Sequence, residues 1–325
     1  MGDVILSTPL LQSIRIKYPT ARIYYLTEAP FAPILLNHPD VDEVLVLQKE
    51  FNKQIQLMYK LIITRFDVSI DLFGNPRSAL LTWLSGARIR IGGNFRGRRL
   101  LYTHRIKDGN EKLNAIQYHM RYGMPIDIPQ NCYGLRIVIA DTEKEWAALH
   151  LKDLGYSLDR PIIGLHVGAS WPAKKWFPER FAELAGLIHN KLNMDVYFTT
   201  GPGEEEIVCS VISQSGLSAN APEVLPVRQL AAVLTQLNVF VSNDCGPMHL
   251  APAVGTPTIG LFGPGEPEIW FPYSPEKGHR VIHHELDCSR CHQDFCEKME
   301  CMRSIEVQEV FEAVQSVLKF KSQFQ

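Results

Sequence analysis

Asp244, Gly246 and His249 belong to the run Ser242-Asn-Asp-Cys-Gly-Pro-Met-His249, which lies between two apolar stretches. The first stretch, Asn238–Ser242, and the second, Thr258–Phe262, read as buried strands, with a short helix over Met248–Val254 between them. This order puts Asp244 and Gly246 at the carboxyl end of a strand and the amino end of a helix. Open α/β sheets bind ligands there, because free helix amides and a bare glycine backbone can grip a phosphate. A carboxylate beside a phosphate is electrostatically misplaced unless it holds amides, a ribose hydroxyl or a sugar hydroxyl. A nucleotide-diphosphate ligand fits that combination.

Four other constellations could carry chemistry. Gly168-Ala-Ser-Trp-Pro-Ala-Lys-Lys-Trp176 follows a strand and precedes a helix, so Ser170 and the charges of Lys174 and Lys175 share the rim with Asp244. A solvated basic turn closed by Trp176 is the plainer alternative. Thr199-Thr-Gly-Pro-Gly-Glu-Glu-Glu206 could hold a ribose through Glu204 or Glu205, although acidic residues at a helix start commonly just complement its dipole. Gly2-Asp3 precedes a helical run, where Asp reads as an N-cap or as a carboxylate facing a cleft as general base. Residues 86–107 hold seven basic side chains, among them Arg96, Arg98 and Arg99, and no acidic one. That is a solvated face or a site for an anionic acceptor.

Cys288, Cys291, Cys296 and Cys301 place four thiols near the C-terminus. They could close a tetrahedral structural metal site, with His292 as a rival ligand, or serve as free or redox-active thiols. Their spacing is not that of a standard zinc ribbon. The remaining cysteines, Cys132, Cys209 and Cys245, are scattered, which suits a reducing compartment better than a disulfide framework. Asp40-Val-Asp42 spells a D-x-D metal-binding pattern but reads better as a turn. No G-x-G-x-x-G or Walker A pattern occurs.

The elements that position these residues alternate between helix and strand. Helices are expected at Pro9–Lys17, Asn52–Ile63 and Arg77–Leu84, with strands at Ala21–Leu26, Glu43–Leu47, Asp67–Leu72 and Ile89–Ile91. From Gly92 to Ile128 the pattern loosens into loops around one helix. After a helix at Thr142–Leu154, a second series runs from strand Pro161–Gly168 to a final helix at Ile305–Phe320. Such alternation means βαβ units and parallel sheets. The expected organisation is an α/β protein of two domains, 1–158 and 159–325, facing across a cleft, with the last helix packing back on the first domain. The opening segment, Met1–Pro9, reads as a loop feeding a helix, whereas a doubly wound domain starts with a central strand. The expectation is that the native product begins upstream by about one strand, roughly five to ten residues, or that another segment fills that slot.

With 325 residues, 46% hydrophobic and 21% charged, the chain has the composition of a soluble globular protein. Its net charge of -2 gives no basic field for nucleic acid. No apolar run approaches the roughly 20 residues of a spanning helix. A cytosolic two-domain monomer is the simplest expectation.

The motifs Gly2-Asp-Val-Ile-Leu-Ser-Thr-Pro9, Gly168-Ala-Ser…Lys174-Lys-Trp176, Asn243-Asp-Cys-Gly-Pro-Met-His-Leu250 with Gly255-Thr-Pro257 and Phe262-Gly-Pro264, and Cys288…Cys301-Met302 occur in this order. Together they resemble the heptosyltransferases of lipopolysaccharide core synthesis, within the GT-B glycosyltransferases. The resemblance implies two Rossmann-like domains and inverting transfer of heptose from ADP-heptose to a lipid A–core acceptor. The acceptor would be met at the inner face of the cytoplasmic membrane, by a peripheral enzyme that needs no cofactor for catalysis. It assigns Asp3 as base and Lys174 as diphosphate ligand with Ser170 alongside. Asp244, Cys245, Gly246, Pro247 and His249 would line the donor site and Glu205 would hold the ribose. Arg96, Arg98 and Arg99 would meet acceptor phosphates or carboxylates. Cys245 departs from the family, which commonly has a small hydroxyl residue there, and Trp171-Pro172 would stiffen the phosphate loop. The family pattern also carries a strand just before the Gly-Asp motif. Two other readings are a GT-B enzyme using another sugar nucleotide on a glycan or protein, and a non-catalytic or redox module built on the cysteines.

Overall fold

The computed structural model describes every residue except 108, 110, 132–133, 218–222, 289–290 and 324–325. Cys132 therefore lies outside the described residues. The chain forms two compact units, one of Leu6–Arg136 and one that joins Met1–Ile5 to Ile137–Gln325.

The chain opens with helices α1 (Gly2–Leu6) and α2 (Thr8–Lys17), so the segment expected as a loop is helical from its second residue. In the first unit, strands β1 (Tyr24–Glu28) and β2 (Glu43–Leu47) pair in parallel, and helix α3 (Phe51–Thr64) follows. Strand β3 (Val68–Ile70), helix α4 (Pro76–Leu84), and strands β4 (Ile89–Gly93) and β5 (His104–Ile106) come next, then helix α5 (Ala115–Arg121). β3, β4 and β5 form a separate parallel sheet. Among the described residues no strand joins it to β1–β2. Local chemistry fixes the helix starts. Asn75 caps α4 by accepting from the Ser78 amide ahead of a first-turn proline, and Asn114 and Gln117 form a capping box at α5. The Asp-x-Asp pair serves the fold: Asp42 accepts from Ile23 N–H at 2.7 Å and pairs with Arg15 at 2.6 Å, while Asp40 is buried beside His38.

In the second unit, α6 (Asp141–Asp153) precedes strand β6 (Ile162–His166), helix α7 (Pro178–Leu192), strand β7 (Asp195–Thr199) and helices α8 (Glu205–Ser215) and α9 (Val227–Leu234). Then come β8 (Val239–Asn243), α10 (Gly246–Ala253), β9 (Thr258–Phe262), the single turn α11 (Pro267–Trp270), β10 (Arg280–His283), α12 (Glu300–Arg303) and α13 (Val307–Gln323). The strands form one parallel sheet in the order β10-β9-β8-β6-β7. β6, β8 and β9 are buried along their whole length, as strands covered on both faces must be. Edge strand β10 escaped the sequence pattern because its four residues alternate in burial only partly.

The boundary between the compact units differs from the one expected. It falls at Arg136/Ile137 rather than near Asp159, because α6 packs on α9 and Glu143 pairs with Arg228. The last helix belongs to the second unit: Val310, Phe311, Val314 and Val317 of α13 are buried in its core with Trp176 and Phe181.

Candidate active site

β6 and β8 lie side by side, and the chain leaves them in opposite directions across the sheet, to β7 on one side and β9 on the other. Their carboxyl ends form a topological switch point, where neighbouring loops diverge and leave a crevice. The loop after β6, residues 167–177, and the Asp244-Cys245 turn after β8 both start there.

Asn243, the last residue of β8, ties these loops together. Its Nδ2 donates to the carbonyls of Val167 and Gly168 at 2.8 and 3.2 Å, and its Oδ1 accepts from the Trp176 amide at 3.0 Å. Trp176 is fully buried and donates through Nε1 to the Ile305 carbonyl at 3.1 Å. The loop is thus held at both ends, and a 3₁₀ turn at Pro172–Lys174 presents Lys174. The Lys174 ammonium lies 2.6 Å from the Asp244 carboxylate and 4.6 Å from the centre of the Trp171 ring. The contact with Asp244 is an ion pair whose angles fall outside those of a hydrogen bond.

α10 begins at Gly246 with Pro247 in its first turn, behind an extended Cys245. Its first amides have no partner within the helix, so its amino end favours an anion. Burial, above all, pushes the Cys245 thiol up to about 12, so it lines the site as a neutral group beside the Ser242 hydroxyl. His249 lies in α10 with Nδ1 2.5 Å from the Tyr273 hydroxyl. Burial, above all, lowers its pKa to about 3, and burial likewise holds the Tyr273 phenol protonated. The imidazole is a neutral wall of the site.

Gly2 abuts that imidazole: a Cβ on Gly2 would stand 2.9 Å from His249 Cδ2. Asp3 follows in the first turn of α1, not as an N-cap, and its exposed carboxylate has no bonded partner among the described residues. Ser170 is exposed and equally without a bonded partner among the described residues. Glu204, rather than Glu205, meets the loop after β6. Its carboxylate accepts from the Gly201 amide at 2.8 Å and fills the space where a Cβ on Gly168 would sit, within 2.1 Å of both its oxygens. Glu205 is exposed on the first turn of α8. His166, buried at the end of β6, lies 3.8 Å from Glu204 and is bonded to Thr199 at 2.9 Å. The sequence alone singled out neither Asn243 nor His166 and Tyr273. Each acts through partners distant in the chain, which spacing does not reveal.

In the first unit, Arg96 and Arg99 are exposed and Arg98 stacks over Phe95 at 4.9 Å, on or beside the 3₁₀ turn Arg98–Leu101. Other cations of that stretch serve the backbone: Arg90 donates to the Leu101 and Ala87 carbonyls, and Arg105 to that of Arg99.

The four clustered cysteines line one cavity of about 170 Å³ together with Ala173 and Pro264. Among the described residues, however, no three His, Cys, Asp or Glu side chains stand together so as to hold a metal ion. Cys301 is buried in α12 while Cys288 and Cys291 are exposed. The segment braces the loop after β6, through the Asp294 backbone carbonyl accepting from the Ala173 amide at 3.0 Å.

A cationic side chain, the buried Asp244 carboxylate and free helix amides at one switch point suit a sugar nucleotide. The profile of glycosyltransferase family 9 (heptosyltransferase) matches residues 55–301. The chain belongs to glycosyltransferase family 9. This family 9 chain is 28% identical over 296 residues to lipopolysaccharide heptosyltransferase 2 of Salmonella typhimurium, covering 84% of this chain and 83% of that protein. A solved family 9 glycosyltransferase from Veillonella parvula superposes with a TM-score of 0.83 at 25% identity, over 98% of this chain and 94% of that one. The E. coli ADP-heptose LPS heptosyltransferase II superposes with a TM-score of 0.83 at 23% identity, over 99% and 96%. The family 9 chain is a glycosyltransferase of the GT-B fold class, which removes the non-catalytic cysteine module as a reading. Among the described residues no helix is long and apolar enough to cross a membrane.

Proposed function

We propose that this family 9 enzyme transfers heptose from ADP-heptose, with inversion, to a lipid A–core acceptor of lipopolysaccharide. The second unit binds the donor and the first the acceptor. The observation that carries the reading is the Lys174–Asp244 pair at the switch point, beside the amino end of α10.

The donor diphosphate is held by Lys174, the Ser170 hydroxyl and the α10 amides, with Cys245, Gly246, Pro247 and His249 as the neutral wall. Asp244, released from Lys174 as the phosphates arrive, orients donor hydroxyls. Glu204 is better placed than Glu205 to approach the ribose, since its carboxylate already lies against Gly168. In direct displacement the acceptor oxygen attacks the anomeric carbon as the bond to the diphosphate oxygen breaks. The electron pair leaves with ADP, whose growing negative charge Lys174 stabilises. The acceptor proton passes to Asp3, an exposed carboxylate carried on the turn that abuts His249. Arg96, Arg98 and Arg99 meet acceptor phosphates or carboxylates. The enzyme works as a monomer, peripherally, on the cytoplasmic side of the inner membrane.

The test is a transfer assay with a panel of sugar nucleotides and defined truncated core lipids. Mass gain of one heptose, dependent on ADP-heptose, is expected. Transfer from a different sugar nucleotide alone would replace this reading with that of another GT-B enzyme.

A further inference from the structure

Helix α3 carries two apolar faces. Leu57 and Leu61 are buried with Leu45 and Leu81, as a helix packed on a sheet requires. Phe51, Ile55, Tyr59 and Ile62 repeat at steps of four, four and three residues, so they share the other side, and all are exposed, Tyr59 to 65%. The adjacent α4 repeats the feature: Leu80 and Trp83 point outward, Trp83 at 50% exposure, while Leu81 faces the core. The 3₁₀ turn Arg98–Leu101 packs on α4 and exposes Leu100 to 74%. Scattered surface apolar residues are ordinary, but neighbouring elements that each expose an apolar stripe mark an interaction surface.

The charge around it identifies the partner. Arg77 of α4, Arg96 and Arg99 are exposed and make no side-chain bond among the described residues, and residues 86–107 contain no carboxylate. Lys53 and Lys60 of α3 are already paired, with Glu50 and Glu43. A second copy docking through this face would bring an uncompensated cationic strip against its twin. An anionic bilayer surface meets both features at once. Apolar and aromatic side chains enter the headgroup–acyl boundary while arginines stay with the phosphates.

We propose that the outward faces of α3 and α4, with Leu100, form a docking surface for a bilayer carrying anionic headgroups. The surface rests on the lipid-acceptor reading and deepens it: the apolar faces of α3 and α4 give the enzyme a hold on the bilayer beside the arginines that meet the acceptor.

The test is sedimentation of the full chain with phosphatidylethanolamine vesicles, with and without phosphatidylglycerol and free of any acceptor. The wild-type protein should sediment with the anionic vesicles. Ile55→Gln/Tyr59→Gln/Trp83→Gln should bind them at least roughly tenfold more weakly, given the apolar area removed from the interface. Because these side chains are exposed, its thermal unfolding should match the wild type. Its transfer to a delipidated, soluble core acceptor should be unchanged and its transfer to vesicle-embedded acceptor reduced. Wild-type protein left in the supernatant, or variant binding equal to wild type, would overturn the proposal. So would a wild-type dimer in solution that the substitutions dissociate. A chain that binds vesicles but transfers no heptose would sink the functional reading and leave this surface standing.

Discussion

The Lys174 ammonium and the Asp244 carboxylate, 2.6 Å apart, neutralise each other at the switch point between β6 and β8. Asp244 is 5% exposed, so each charge depends on the other being present. Lys174→Met should destabilise the protein by about 3–5 kcal/mol, the usual effect of leaving one partner of a buried pair alone. Lys174→Met/Asp244→Asn should recover most of that loss, because no isolated charge remains. Urea unfolding of the two variants checks this, and equal destabilisation in both would mean the charges are not coupled.

Asp3 is the exposed carboxylate on the turn that abuts His249. Asp3→Asn keeps its size and removes its basicity. Turnover should fall by roughly 10²–10⁴-fold, the range for loss of a general base, with donor affinity unchanged. Steady-state kinetics alongside calorimetric ADP titration separate the two. A variant with normal turnover removes Asp3 from the chemistry.

Asn243 makes three buried hydrogen bonds that hold the loop after β6. Asn243→Ala strands two carbonyls and one amide, which should cost about 2–3 kcal/mol. ADP affinity should fall with it, since Lys174 sits on the loop that loses its tether. A variant that unfolds more easily yet binds ADP as the wild type does would show that the tether serves stability alone.

His249 adds a pH dependence of known sign. Burial, the main cause, takes its pKa from 6.5 to about 3 in the folded protein. Between those values the unfolded chain takes up a proton that the folded chain does not, so stability rises with pH across the window and is lost as pH falls from 6.5 toward 3. One such group contributes a slope of about 1.4 kcal/mol per pH unit. His279, buried and lowered to about 4, acts in the same direction. Chemical denaturation from pH 7 down to 4.5 should show a shallower fall for His249→Gln than for wild type. Parallel curves would mean that His249 titrates normally.

Much of this was legible in the sequence. β2 and β9 occupy Glu43–Leu47 and Thr258–Phe262, the ranges expected, because short β-branched runs bounded by loops allow little else. Placing Asp244 and Lys174 on one rim required only the strand–turn–helix order at each. What stayed hidden depends on tertiary partners. Glu204 and Glu205 are indistinguishable by composition, and only the backbone of the Gly201 turn brings Glu204 to Gly168. The boundary moved because α6 is claimed by a pairing of Glu143 with Arg228, far along the chain. The sequence reads α1 as a loop because five residues show no period, and the cysteine spacing does not reveal that Cys301 is buried in the core of the second unit.

The most direct measurement is calorimetric titration of ADP and ADP-heptose into the wild-type protein and Lys174→Met/Asp244→Asn, which preserves charge balance in the fold. Wild-type binding with ADP competing against ADP-heptose is expected, and at least roughly tenfold weaker binding in the double variant, the loss of one charge-assisted phosphate contact. Equal affinity of the two proteins for ADP would contradict a diphosphate site at the β6–β8 switch point.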